Sequence, residues 1–344
     1  MTRALTIAAG RVIMVGYPAG HVPEVIGELA AQGALAGVIL FKRNLPDVQH
    51  ALEATREYRA LHAAGSLPLI AVDQEGGRVA RLREPVLTLP PAAELAKRGP
   101  EAIRAVAKQL GAQLRVLGFN VNFAPVLDVN TNPENPIIGD RSFGATAQAV
   151  IDFALPFADG LMDAGVIACG KHFPGHGDTD VDSHLALPRL GHDLERLRHV
   201  ELAPFKAAAG RVPAIMTAHV VFDALEPGVP ATLSRRAITE LLRGELGYEG
   251  AIISDDLEMK AIADHYGSGE AGVRAIDAGC DLLLVCSEVE RALSVHEALV
   301  KKAEADSAFR ARLLDAAARV DELAATVPPL ETTAPEVLLA RLQG

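Results

Sequence analysis

The stretch KHFPGHGDTDVDSH, Lys171 to His184, holds three histidines, three aspartates and one lysine within fourteen residues, with Gly175 and Gly177 among them. Imidazoles and carboxylates at this density suit either metal binding or proton transfer. The spacing argues against a metal. His172 and His176 are four apart, as on one face of a helix, but Pro174, Gly175 and Gly177 break a helix there and the cysteines add no ligand pair. Proton transfer draws on the end of the stretch. Asp182 and His184 lie two apart, so in an extended segment their side chains share a face and can hydrogen-bond. A carboxylate beside an imidazole fixes its tautomer and suits it to donate and then accept a proton near neutrality. The competing reading is purely structural: Asp182 caps a turn and His184 is only its neighbour.

A second reactive group ends the run GAIISDDLEM. Adjacent strand residues point to opposite faces, so only one of Asp255 and Asp256 is expected to face a site, the other bonding to loop backbone or capping the next element. One inward carboxylate with a separate acid–base group is the minimum set for a retaining glycosidase. The usual partner is another carboxylate; here it would be a histidine held by an aspartate.

Positioning these groups requires a scaffold, and the chain offers eight short apolar runs bounded by turn residues. They are RVIMVGY, AGVILFKRN, LPLIAVDQEGG, FNVNFAPVLDV, GVIACGKHF, VPAIMTAHV, GAIISDDLEM and CDLLLVC. Continuous rather than alternating hydrophobicity suits parallel strands covered on both faces. Helical stretches separate them, such as PEAIRAVAKQLGAQLRVLG with Pro100 at its start and Gly118 at its stop, and SRRAITELLRGELG with Ser234 as N-cap and Gly247 just past its end. Eight such units predict an α/β fold, a single-domain (β/α)8 TIM-type barrel spanning 1–326, with 327–344 as a tail bearing a short helix. A doubly wound sheet would want a glycine-rich phosphate turn after its first strand, which GYPAGHVPEVIG does not supply. In a barrel, chemistry sits at the C-terminal strand ends. Lys42, Arg43, Asp73, Glu75, Asp128, Lys171, His172, His219, Asp255 and Asp256 all follow the apolar runs.

The 344 residues carry a formal net charge of −11, which argues against nucleic acid or an anionic membrane as partner, since either needs a basic face. No apolar run is long enough to span a bilayer. Arg11 interrupts the N-terminal apolar patch before a signal-peptide core would end, and the three cysteines sit within apolar runs as buried thiols, so a cytoplasmic location is expected. Without tryptophan and with few aromatics, a sugar site would have to be built from charged hydrogen-bonders rather than stacking platforms.

Taken together, GVILFKRN, VDQEGGRVARL, NFAPVLDVN, GDRSFG, KHFPGHGDTDVDSH and SDDLEM resemble the β-N-acetylhexosaminidases of glycoside hydrolase family three, especially the single-domain bacterial type that serves peptidoglycan recycling. The resemblance implies Asp255 as nucleophile and His184 as acid–base paired with Asp182. It further implies Asp73, Arg81, Arg141, Lys171 and His172 as contacts to the terminal sugar, muropeptides bearing N-acetylglucosamine as substrates, and no metal or cofactor. A loop flanked by glycines is expected to move the acid–base over bound substrate, with His176 shaping it. Rival readings are a phosphorylase of the same family, a metal-dependent hydrolase on the same barrel, and a non-catalytic sugar-binding protein. Oligomeric state is not legible, a monomer being the default expectation.

Overall fold

The computed structural model describes residues 2–62 and 67–329, together with 337, 340 and 342. Eight parallel strands close into a barrel in chain order: β1 (Ile13–Val15), β2 (Gly37–Leu40), β3 (Leu69–Val72), β4 (Val121–Asn122), β5 (Ile167–Phe173), β6 (Ala214–Thr217), β7 (Ala251–Asp256) and β8 (Leu282–Val285), which pairs back onto β1. Each of the eight apolar runs contains one of these strands. The helix over Pro100–Val116 starts and stops as its sequence implies, Gly118 taking φ +90°. In the segment after β6, the Ser234 hydroxyl accepts from the Ala237 amide, and Gly247 adopts φ +69°. That segment, Arg236–Glu245, is wound with the wider π pattern, which residue spacing alone does not distinguish from an α-helix over so few turns. The tail expected from 327 lies, beyond residue 329, outside the described residues except at those three positions.

Strand alternation explains where the polar groups fall. Leu69 and Ala71, Ile167 and Cys169, Ala251 and Ile253, and Leu282 and Leu284 fill the barrel interior, while the residues between them, such as Ile70, Ala168, Ile252 and Leu283, pack in the separate layer beneath the helices. Burial on both faces is why the runs read as continuously apolar. One inward step beyond each pair comes Asp73, Lys171, Asp255 and Cys286, and all four line a single cavity at the C-terminal mouth.

Two strands depart from strict alternation. Registers shift between Lys171 and Phe173 in β5 and between Ile253 and Asp256 in β7. Both residues of the Asp255–Asp256 pair border the cavity, and the Asp256 carboxyl bonds to the backbone amides of Glu258 and Cys286, as expected of the second carboxylate.

Candidate active site

One wall of the cavity is a buried network of charges. The Lys171 ammonium, 3% exposed, donates to Asp73 at 2.9 Å and lies 2.8 Å from Glu75. Arg141 grips Glu75 with two parallel bonds, Nε to Oε2 at 2.9 Å and a terminal nitrogen to Oε1 at 2.8 Å. Arg81 reaches the other oxygen of Asp73 at 3.1 Å, and its Nε is buried with no partner among the described residues. Burial alone pushes the two carboxyls up, yet the neighbouring cations outweigh it and hold Asp73 and Glu75 below the usual carboxylate range. Lys171 is likewise held charged, burial being outweighed by Asp73 and Glu75. Asp73 follows β3 directly, whereas Glu75 and Arg81 ride a short hairpin, Gln74–Gly76 against Val79–Ala80, turned by Gly76 and Gly77. A β-carbon on Gly76, at φ +121°, would sit 2.6 Å from the Pro90 carbonyl oxygen, so glycine is required there. Asn122 pins the hairpin, accepting from the Gln74 amide and donating to its carbonyl.

Beside the clamp, the fully buried Asp128 faces His172 Nδ1 at 2.7 Å and accepts from the backbone amides of His172 and His176 at 3.2 and 2.7 Å. Burial opposes its ionisation, but His172 and His176 outweigh it and keep Asp128 below its usual range. With Nδ1 engaged, His172 keeps Nε2 for the cavity it lines.

At the end of β7 Asp255 faces the cavity. Burial would raise its pKa, yet His219, His172, the Asp256 amide and His184 together lower it, so it is ionised at neutral pH. Asp256 is pushed the other way, to about 7, chiefly by burial; its Oδ1 accepts from the amides of Glu258 and Cys286. The two adjacent carboxyls thus shift in opposite directions, Asp255 being ionised at pH 7 and Asp256 near its titration midpoint there. His219, fully buried, contacts the Thr232 hydroxyl and the Asp256 carbonyl oxygen and stands behind the site.

Over the opposite rim runs the loop of the histidine-rich stretch. Asp182 Oδ1 accepts from the His184 backbone amide and meets its Nδ1, both at 2.8 Å. The pair forms in a turn rather than in the extended segment that residue parity suggested, so the turn-capping role and the imidazole contact coexist. His184 lines the cavity with its side chain 64% exposed.

The eight residues to which the resemblance gave roles therefore meet at one place: Asp73, Arg81, Arg141, Lys171, His172, His184 and Asp255 line the cavity, and Asp182 stands on His184. Lys42 and Arg43 do not join them; Arg43 turns away to the carbonyls of Tyr17 and Cys286. Glu75 and Asp128 were visible as strand-end carboxylates, but nothing in the spacing paired them with Arg141 and His172. Phe41, Phe123, Met216 and Met259 also line the cavity and carried no signal beyond being apolar, and His176 and Ser183 border it from the histidine-rich loop. Among the described residues, no group of three or more His, Cys, Asp or Glu is arranged to hold a metal ion.

Comparisons with known proteins give the family. The profile of the glycosyl hydrolase family 3 N terminal domain matches residues 9–323. A beta-hexosaminidase of Alkalilimnicola ehrlichii is 42% identical over 287 residues, 81% of each chain. Another, of Idiomarina loihiensis, is 39% identical over 288 residues, 82% of this chain and 86% of the relative. Among solved structures, a family 3 beta-N-acetylglucosaminidase from a Paenibacillus species superposes with a TM-score of 0.89 at 39% identity, over 98% of this chain and 68% of the other. The beta-N-acetylhexosaminidase of Beutenbergia cavernae gives 0.85 at 32% identity, over 94% and 98%.

Proposed function

The chain belongs to glycosyl hydrolase family 3 and is a glycosidase of the β-N-acetylhexosaminidase type; from that premise we propose that it releases terminal β-linked N-acetylglucosamine with retention of configuration. A carboxylate oxygen of Asp255 bonds to the anomeric carbon as the bond to the leaving oxygen breaks, and His184, oriented by Asp182, delivers its proton to that oxygen. Water then attacks the same carbon, His184 takes the proton, and the ester to Asp255 opens. Asp73, Arg81, Arg141, Lys171 and His172 hold the sugar hydroxyls, the unpartnered Nε of Arg81 and the free Nε2 of His172 offering donors or acceptors to them.

The observation that carries this reading is the convergence on one cavity of an ionised inward carboxylate, an imidazole–carboxylate pair and a charged clamp. The physiological substrates under this reading are N-acetylglucosamine-bearing muropeptides, handled in the cytoplasm during peptidoglycan recycling. Three free, buried cysteines are consistent with a reducing compartment. Hydrolysis of a chromogenic β-N-acetylglucosaminide, set against the matching glucoside and galactosaminide and a muropeptide fragment, tests the assignment. Preferential cleavage of the N-acetylglucosaminide and the muropeptide is expected; equal turnover of the glucoside, or an inert muropeptide, contradicts it.

A further inference from the structure

The loop that carries Asp182 and His184 is held in two unequal halves. Its first half is nailed to the barrel. A β-carbon on Gly177 would lie 1.9 Å from the Val129 carbonyl oxygen, so backbone meets backbone there. Asp178 accepts from Thr131 and pairs with His192 and Arg196, and the Thr179 carbonyl accepts from Asn132 and Asn135. The second half is different. From Asp180 to Leu187, Ser183 is the one buried residue, at 2% exposure.

Ser183 stands between the two members of the dyad and makes two bonds that leave its own half of the loop. Its hydroxyl meets Nε2 of His176 at 2.9 Å, and its carbonyl oxygen accepts from the Ala261 amide at 3.2 Å. His176 is itself fixed: its amide donates to Asp128, its Nδ1 meets the Thr179 hydroxyl at 2.7 Å, and it is 2% exposed. Ala261 belongs to the short helix Lys260–Ala263, which comes after the strand bearing Asp255. One side of this dock therefore reports the position of the sugar-facing strand β5, the other that of the nucleophile's strand β7.

We propose that Ser183 is the docking point that registers the His184–Asp182 dyad over the anomeric centre, its hydroxyl seated on His176 and its carbonyl on the Ala261 amide. This rests on the assignment of His184 as acid–base. His176 and Ser183 also border the cavity, but act as positioning residues: neither exchanges a proton or a bond with the sugar in the proposed reaction, and the loop closes when both bonds form. Because the dock consists of two hydrogen bonds, its loss shifts the docked population by about tenfold rather than abolishing it.

The test separates positioning from general damage through the leaving group. A dinitrophenolate departs without a proton, whereas an alkoxide does not, so a misplaced acid penalises only the second. Values of kcat/KM are measured for the dinitrophenyl and methyl β-N-acetylglucosaminides with the full chain, Ser183→Ala and His184→Ala. Ser183→Ala is expected to lose about tenfold on the methyl glycoside and almost nothing on the dinitrophenyl one, with an unchanged melting temperature. Ala261→Pro, which removes the other bond in a first helical turn where proline is accepted, is expected to give the same selective loss and serves if Ser183→Ala does not fold. His176→Ala is expected to match Ser183→Ala, and His176→Gln, whose amide reaches toward the place of Nε2, to restore part of the loss. Equal losses on both substrates, or no loss on either, overturn the dock while leaving His184 in its role if His184→Ala still discriminates. A His184→Ala enzyme that does not discriminate overturns both.

Discussion

Asp73, Glu75, Lys171 and Arg141 meet from buried strand ends, a short hairpin and the helical turn Gly139–Arg141, each charge answered by an opposite one within 2.9 Å, whereas His184 is 64% exposed and pairs with Asp182 of its own turn. The two regions face the same cavity and are built for different tasks. Buried charges interact strongly because little water screens them, and they can be kept ionised only when every one is compensated. Under the proposed function, a clamp made this way is preorganised for the hydroxyls of one sugar. A proton donor needs something else: it must approach the leaving oxygen, retreat to admit water and let product out, which favours a loop held by few bonds. On the proposed roles, the comparison teaches that rigidity sits where the sugar is recognised and loose tethering where a proton is delivered.

The comparison can be broken at several points, and the effects should fall in order. Asp255→Asn keeps the shape of the cavity and removes the nucleophile, so kcat should drop by roughly 10⁴-fold or more while a sugar product still protects the protein against thermal unfolding. A variant that loses binding along with turnover would mean that Asp255 belongs to the clamp. Removing the imidazole with His184→Ala should cost about 10²- to 10⁴-fold with a poorly departing alcohol, and Asp182→Asn less, since the ring survives with its orientation loosened. Melting temperature should barely move in either, because neither side chain is buried against the core.

Glu75→Gln attacks the other region. It leaves Lys171 and Arg141 buried with half of their compensation, so about 3–5 kcal/mol of stability and a large rise in KM are expected together, read by denaturant unfolding and steady-state kinetics. A variant with normal stability and a changed KM would show the clamp to be less interlocked than its distances imply.

The smallest effect concerns pH. Folding raises Asp256 to about 7 from the ordinary aspartate value, so the folded state holds a proton that the unfolded chain has already lost, and this group's contribution to stability declines as pH climbs from about 4 to 7. His176 works in the opposite direction over much of the same range. Burial lowers it to about 4, so the unfolded chain binds the extra proton and stability improves as pH rises from about 4 to 6.5. Asp256→Asn removes the first contribution only. Its melting temperature, relative to the unaltered chain, should therefore improve as pH rises through that window; a constant difference would show that Asp256 is not protonated in the fold.

Much of the barrel was legible because burial on both strand faces leaves an unbroken apolar signature, and inward alternation then marks the residue one step beyond each run. Asp73, Lys171 and Asp255 could be found that way. What stayed hidden depends on chain paths that no spacing encodes. The bond from Arg141 to Glu75 joins residues 66 apart, and that from His172 to Asp128 joins residues 44 apart. The irregular register in β7 could not be read either, since a bulge costs no residue type; backbone bonding by one carboxylate of the pair was expected, but not that the Cys286 amide, 30 residues on, would be a partner of Asp256. The bonds of His176 depend on the loop folding back to bring Ser183 beside it.

The central claim is that Asp255 becomes covalently bonded to the sugar. Incubation with a fluorinated N-acetylglucosaminyl fluoride, which forms the glycosyl-enzyme quickly and releases it slowly, followed by proteolysis and mass spectrometry, tests it directly. The account predicts one sugar per chain, on the peptide containing Ser254 and fragmenting to Asp255; a sugar on Asp256, or an active enzyme that never acquires an adduct, contradicts it.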